Sequence, residues 1–206
     1  AVVDASGDAD VSAAAGEAVA TLRSNVRSGW YYYLKNGEVR LDCLTKPFAA
    51  DGRRQAGAGA HYAGDRARDV TAQVLATRRL IRASLRRHAE GSETPVFPIN
   101  IPSIPCFRMT RRLRGRVELQ ARDAGVWFDD AVGLTGDWRK AGPVYCLPLG
   151  ALAAARTPNL LTAGRCISAA GRAWDVTRVI PTCAVTGEAA GVAAALAVTQ
   201  ADGHVE

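Results

Sequence analysis

Lysine is scarce in this 206-residue chain: Lys35, Lys46 and Lys140 stand against 23 arginines, and alanine is abundant. The net charge of +6 therefore reads as a GC-rich coding bias more than as a basic binding face. The densest run, Arg78, Arg79, Arg82, Arg86 and Arg87, falls on neighbouring positions of a helix surface and could lie on phosphates. No aromatic residues interleave it and no groove-reading motif occurs, so it reads as a solvated helix face, and no nucleic acid is expected as partner. Histidine is rarer still, with only His61, His88 and His204, which leaves a Ser-His-Asp triad poorly supported. The five cysteines, Cys43, Cys106, Cys146, Cys166 and Cys183, are odd in number, widely spaced and without a CxxC pair. That argues against a zinc site and a disulfide framework alike; no metal is expected. Free thiols in a reducing compartment follow, hence a cytoplasmic location. Long hydrophobic runs are missing too. The longest small, apolar stretch, residues 187–198, is interrupted by Glu188 and is too short to span a bilayer, and no signal peptide opens the chain. No membrane association is expected.

What remains is globular in composition, 48% hydrophobic and 22% charged, enough for one or two domains with a sizeable core. Residues 1–4 read as the end of a strand, followed by a turn at Ala5-Ser6-Gly7-Asp8 and a short helix that stops near Gly16. Because Ala1 is not a methionine and opens in a strand, the expectation is a processed chain or a piece of a longer one. Residues 30–34 and 39–44 are aromatic and β-branched around Asn36-Gly37, a strong hairpin signal. Residues 49–64 read as a glycine-rich loop. Residues 65–88 form the longest helix, with Val70, Val74, Ile81 and Leu85 as its apolar stripe and Gly91 as its stop. Pro95, Pro98, Pro102 and Pro105 predict an extended connector, neither helix nor central strand. Residues 106–119 read as a strand or hairpin bending at Gly115, residues 144–147 and 159–163 as short strands, and residues 182–199 as a helix.

The two ends carry most of the chemistry. Residues 159–163 are an apolar strand ending in Gly164-Arg165. The last helix opens at Pro181-Thr182, where proline is favoured early and the threonine is placed to cap free N–H groups. Gly187 and Gly191, four apart, would let one helix face lie close against a sheet or a cofactor. His61-Tyr62, in the glycine-rich loop, offers an acid or base or is a plain loop histidine. Asp129-Asp130 read as a solvated cap. Cys166 and Cys183 read as small core residues, with a redox pair as the weaker alternative.

These residues resemble a known family. Asn159-Leu-Leu-Thr-Ala-Gly-Arg-Cys-Ile-Ser168, with Arg178-Val-Ile-Pro-Thr-Cys183 and Gly187-Glu-Ala-Ala-Gly191, is similar to the C-terminal signature of the FAD-dependent oxidoreductase family, glutathione-reductase-like flavoproteins with two dinucleotide folds. Val3-Asp-Ala-Ser-Gly-Asp-Ala-Asp10 resembles the family's second nucleotide-side motif, with Ala9 where a glycine usually sits. Thr110-Arg111-Arg112-Leu-Arg-Gly115 resembles its Arg-Arg strand and Tyr145-Cys-Leu-Pro-Leu149 its Ile-Pro strand. The G-x-G-x-x-G motif that opens the family's first βαβ unit occurs nowhere in these 206 residues.

The resemblance implies a mixed α/β chain: a partial FAD-binding Rossmann-like domain, residues 1–20 and 140–206, interrupted by a substrate-side region, residues 21–139, with a β-hairpin and a long helix. It implies FAD as cofactor of the complete protein, bound weakly or not at all by this chain alone, and flavin-mediated hydride transfer with a small organic substrate. The alternative is a non-catalytic fragment or subunit that needs a partner, or a missing N-terminal segment, to supply the absent unit. Gly7 and Asp8 would lie near the ADP half of FAD, Gly164 and Arg165 near its ribityl-pyrophosphate region, and Pro181, Thr182 and Gly187 at the helix facing the flavin. Arg178 is a catalytic candidate, placed to stabilise negative charge on reduced flavin or substrate, or else an ion pair of Asp175; His61 is the other. Arg111 and Arg112 read as strand-borne salt bridges or as substrate-side groups.

Overall fold

A computed structural model describes residues 1–26, 29–44 and 60–205. In chain order the elements begin with β1 (Val2–Asp4), α1 (Asp10–Ala14), β2 (Val19–Thr21), β3 (Asn25–Val26), β4 (Trp30–Lys35), β5 (Glu38–Cys43) and β6 (His61–Tyr62). They continue with α2 (Ala67–Ala89), β7 (Phe97–Asn100), β8 (Arg111–Leu113), β9 (Ala131–Gly136), β10 (Val144–Pro148), β11 (Leu160–Thr162), α3 (Gly171–Thr177) and α4 (Ile180–Gln200). The chain forms two compact units, one of residues 1–21 and 108–206, the other of residues 22–107. The chain ends thus share a unit, which also takes in residues 108–139. The insert is therefore shorter than 21–139.

In the unit of the chain ends, β1 and β11 pair in parallel, Val3 opposite Leu161. Antiparallel pairs β2–β8 and β9–β10 accompany them. Leu113, Ala154 and Leu160 form a buried apolar cluster, and β11 is buried at all three positions, as a covered parallel strand requires. Of the strand or hairpin expected across residues 106–119, a strand forms, β8, paired with β2. Gly115 lies against the carbonyls of Ala153 and Gly150, 2.7 and 3.0 Å from where a Cβ would stand. Arg116 and Val117 donate their N–H groups to those same two carbonyls, so the chain follows a loop instead of turning back on itself. Asp130 is not merely solvated: its carboxylate accepts the Gly150 N–H at 2.7 Å.

The last helix begins at Ile180, with Pro181 in its first turn and Val179 as N-cap; no side chain caps it. Thr182 is therefore not the cap. Its buried hydroxyl shares a 2.6 Å hydrogen bond with Thr135 of β9. The buried positions are Thr182, Thr186, Ala190 and Ala197, so Gly187 and Gly191 face away, with nothing within 4 Å of a Cβ added to either. Close approach is instead made by Gly133 on β9, where a Cβ would collide with Val185 of α4. At 21 residues, α4 is long and apolar enough to cross a membrane by length and composition. The shorter run 187–198 understated it, because a single Glu188 does not end a helix.

In the unit of residues 22–107, β4 and β5 form the expected hairpin, with φ of 54° at Asn36 and 78° at Gly37, the doubly positive pair of a two-residue turn. β7 joins the other side of β4; Pro98 is tolerated because this strand is an edge. His61 and Tyr62 are not loop but strand, paired with β3. The long helix runs from Ala67 to Ala89, yet its buried residues are Gln73, Thr77, Ile81 and Ser84. Of the expected stripe only Ile81 is fully buried. Ile81 and Leu85 pack on Tyr31 and Tyr33 of the sheet, and polar groups join them: Tyr31 donates to Ser84 at 2.8 Å, Ser84 donates to Asp42, and His88 Nε2 lies 3.1 Å from the same carboxylate. Tyr33 stacks on His88 with centroids 4.5 Å apart. Burial pushes the Asp42 carboxyl up, but its bonds to Ser84, His88 and Tyr31 outweigh that and hold it below the ordinary value. The arginines at 78, 79, 82, 86 and 87 are all exposed.

Candidate functional site

The carboxyl ends of β1 and β11 gather most of the residues singled out from the sequence. Asp4, at the end of β1, is fully buried. Its carboxylate accepts the Ser6 N–H and hydroxyl at 3.1 and 2.6 Å, and the Ser12 N–H and hydroxyl at 2.8 and 2.7 Å. An aspartate bonding the backbone two residues on makes a local turn, and the reach to Ser12 ties that turn to α1. Burial raises the Asp4 carboxyl, but these four bonds together bring it below its ordinary value of 3.8.

The turn so fixed presents Gly7 and Asp8. Gly7 has φ of 80°, and an added Cβ would fall 2.6 Å from Arg165 Nη2; the missing side chain lets the guanidinium lie over the backbone. Asp8 Oδ1 is buried without a hydrogen-bond partner, and Arg165 Nη2 stands 3.6 Å from it, beyond hydrogen-bond range. Arg165 also donates to the Arg108 carbonyl at 3.3 Å. Gly164, with φ of 77°, donates its N–H to Thr186 Oγ1 at 3.0 Å. That bond holds the end of β11 against the second turn of α4, beside Cys183. Trp174 Nε1 donates to the Arg165 carbonyl at 2.7 Å and anchors the same turn.

Gly7, Asp8, Gly164 and Arg165 are thus brought together. Pro181 is exposed, Thr182 is buried on Thr135, Gly187 is exposed on the far side of α4, and His61 is exposed in the other unit. Arg178 is nearly buried. It lies 3.4 Å from Asp175 and over the Trp138 ring at 5.9 Å. Asp175 belongs to a buried charged cluster: Arg139 lies 4.0 Å from it and clasps Asp137 through two bonds of 2.9 and 3.0 Å. Those bonds, more than burial opposes them, hold the Asp137 carboxyl below its ordinary range. Arg111 pairs with Asp10 and Arg112 with Glu118 at 2.7 Å, the strand-borne salt bridges of the first reading. Burial pushes the Cys166 thiol up to about 11 and raises that of Cys183. Both are free and predominantly protonated at neutral pH, which makes them poor redox nucleophiles.

The family model described as FAD dependent oxidoreductase matches residues 34–203. The chain belongs to that family. No curated protein and no solved structure matches it. Three residues that brace this turn and the last helix, Ser12, Gly133 and Thr186, carry no signal in the sequence. Asp4 stands within the motif of residues 3–10, but its bonds to Ser6 and Ser12 do not show there.

Proposed function

We propose that the unit formed by the chain ends receives FAD at the carboxyl ends of β1 and β11, in an enzyme that moves a hydride between flavin and a small organic substrate. One observation carries the reading: the buried Asp8 Oδ1, without a hydrogen-bond partner, beside Gly7 and 3.6 Å from Arg165. A buried carboxylate oxygen left unpaired is costly, and a hydroxyl-bearing, anionic ligand answers both groups, its hydroxyl donating to Asp8 and its charge meeting Arg165. FAD carries such hydroxyls on its ribityl chain and such charge on its pyrophosphate, so these residues fit one part of it. When bound, FAD supplies the hydride chemistry, and the protein supplies orientation and electrostatics. Gly164, held to α4 by its bond to Thr186, lies at the carboxyl ends of these strands, where ligands of open α/β sheets settle. Arg178, held by Asp175 and Trp138, adds fixed positive charge near the start of α4. His61 is the candidate acid or base within the region that the family resemblance reads as substrate-side.

The absence of G-x-G-x-x-G from these residues supports a second reading, in which they bind FAD only with a further unit that carries that motif. Without its backbone donors FAD loses several charge-assisted hydrogen bonds of about 1.5–3 kcal/mol each. Titration of FAD into the purified chain, followed by flavin fluorescence, should give weak binding, Kd of roughly 10–100 μM, weakened several-fold further by Asp8→Ala. Tight stoichiometric binding would refute the requirement for the missing motif. Saturable binding indifferent to Asp8→Ala and Gly164→Val would refute the site.

A further inference from the structure

In the unit of residues 22–107, β4 is apolar on both of its faces. Tyr31 and Tyr33 are buried with Ile81 of α2. On the opposite face the register sets Tyr32 beside Leu41, and Leu34 between Val39 and Phe97. Trp30 meets Tyr32 there edge to face, with ring centroids 5.8 Å apart. The charged residues of β4 and β5, Lys35, Glu38, Arg40 and Asp42, all alternate onto the α2 side. An antiparallel sheet with one wet face ordinarily turns polar residues outward. This sheet instead has the composition of one covered on both sides. Yet Trp30, Tyr32, Val39, Leu41 and Phe97 are between 36 and 64% exposed.

We propose that this sheet face is the interface between two copies of the chain, packed face to face about a two-fold axis. The argument is one of area and charge. With a whole aromatic side chain offering about 150–250 Å², these residues leave roughly 500 Å² of mostly apolar surface uncovered. A standard interface takes about 800 Å² from each partner, and about 65% of a homodimer interface is apolar. The face therefore supplies about the apolar area that a stable dimer needs. A second copy is the occupant that suits it because the patch is self-complementary: apolar meets apolar, and neither side buries an unpaired charge. Two sheets stacked in this way lie about 10 Å apart, with their side chains interdigitated. The interface lies wholly within this unit, so it stands apart from the flavin reading and needs no cofactor to be tested.

The test is sedimentation velocity of the full chain, with a reductant present because Cys43 is an exposed free thiol. Between about 1 and about 200 μM the mass should rise from that of the chain toward twice it, with Kd of roughly 10 μM. Leu41→Lys and Val39→Lys each place a charge on the face without altering a buried residue. Each should weaken the dimer by about tenfold or more, while the melting temperature of the dilute chain stays unchanged. Val192→Lys, comparably exposed on α4 in the other unit, should leave the dimer intact. A monomer throughout that range would give the face to another occupant and overturn the proposal. A dimer that survives both Leu41→Lys and Val39→Lys, or one that Val192→Lys breaks as readily, would overturn it too.

Discussion

Asp4 shows how much one carboxylate can organise. Four hydrogen bonds from Ser6 and Ser12 converge on it, and its pKa lies below the ordinary 3.8. A lowered carboxyl adds stability that is fully present above the unfolded-state value and lost as pH falls through the native one. Asp4→Asn should therefore cost about 2–4 kcal/mol at pH 7. Measured by urea unfolding, the gap between the two proteins should narrow progressively as pH falls below 3.8; a gap that does not change with pH would contradict the assignment. Gly7 and Asp8 were singled out through the resemblance to the family's nucleotide-side motif, which also holds Asp4, but the bonding role of Asp4 was not legible. Its second partner lies eight residues on, across a turn, where no periodicity connects the two. Ala9, read as an alanine in place of a glycine, has φ of 53° while fully buried, a left-handed conformation that an L-residue adopts only at some cost.

Elements bounded by strong local chemistry were legible nearly to the residue. Asn36-Gly37 placed the hairpin and Pro181 placed the start of α4, because turn and first-turn geometry depend on residues in immediate sequence. The buried faces were less legible. A spacing of four marks a helix face without saying which side meets the sheet, so Gly187 and Gly191 suggested the wrong one. In α2 the same limit hid a buried face of Gln73, Thr77 and Ser84; the partners of Ser84, Tyr31 and Asp42, lie 53 and 42 residues away in sequence. Gly133 left no signal at all; its requirement comes from Val185. Gly133→Ala should thus destabilise by about 1–3 kcal/mol through overpacking. Combining it with Val185→Ala should recover part of that loss, and thermal unfolding of the two single variants and the double would measure it. Strict additivity would mean that the helix does not rest on this glycine.

The unit of the chain ends is assembled from two segments separated by 86 residues. Its β1–β11 and β2–β8 pairings join positions 90 or more residues apart. A protease site inserted between Asn36 and Gly37, once cleaved, should leave two pieces that co-elute on size exclusion and part only in denaturant; separation in plain buffer would contradict the pairing. The same strand order constrains the protein's life on the ribosome. Val2 has to wait for Leu160, 158 residues later, which at about 5–20 residues per second is roughly 8–30 s of synthesis. Throughout that interval β1 is an unpaired strand edge of the kind that recruits foreign partners. Until β11 emerges, that edge is open to chaperone holding in nascent chains of this protein.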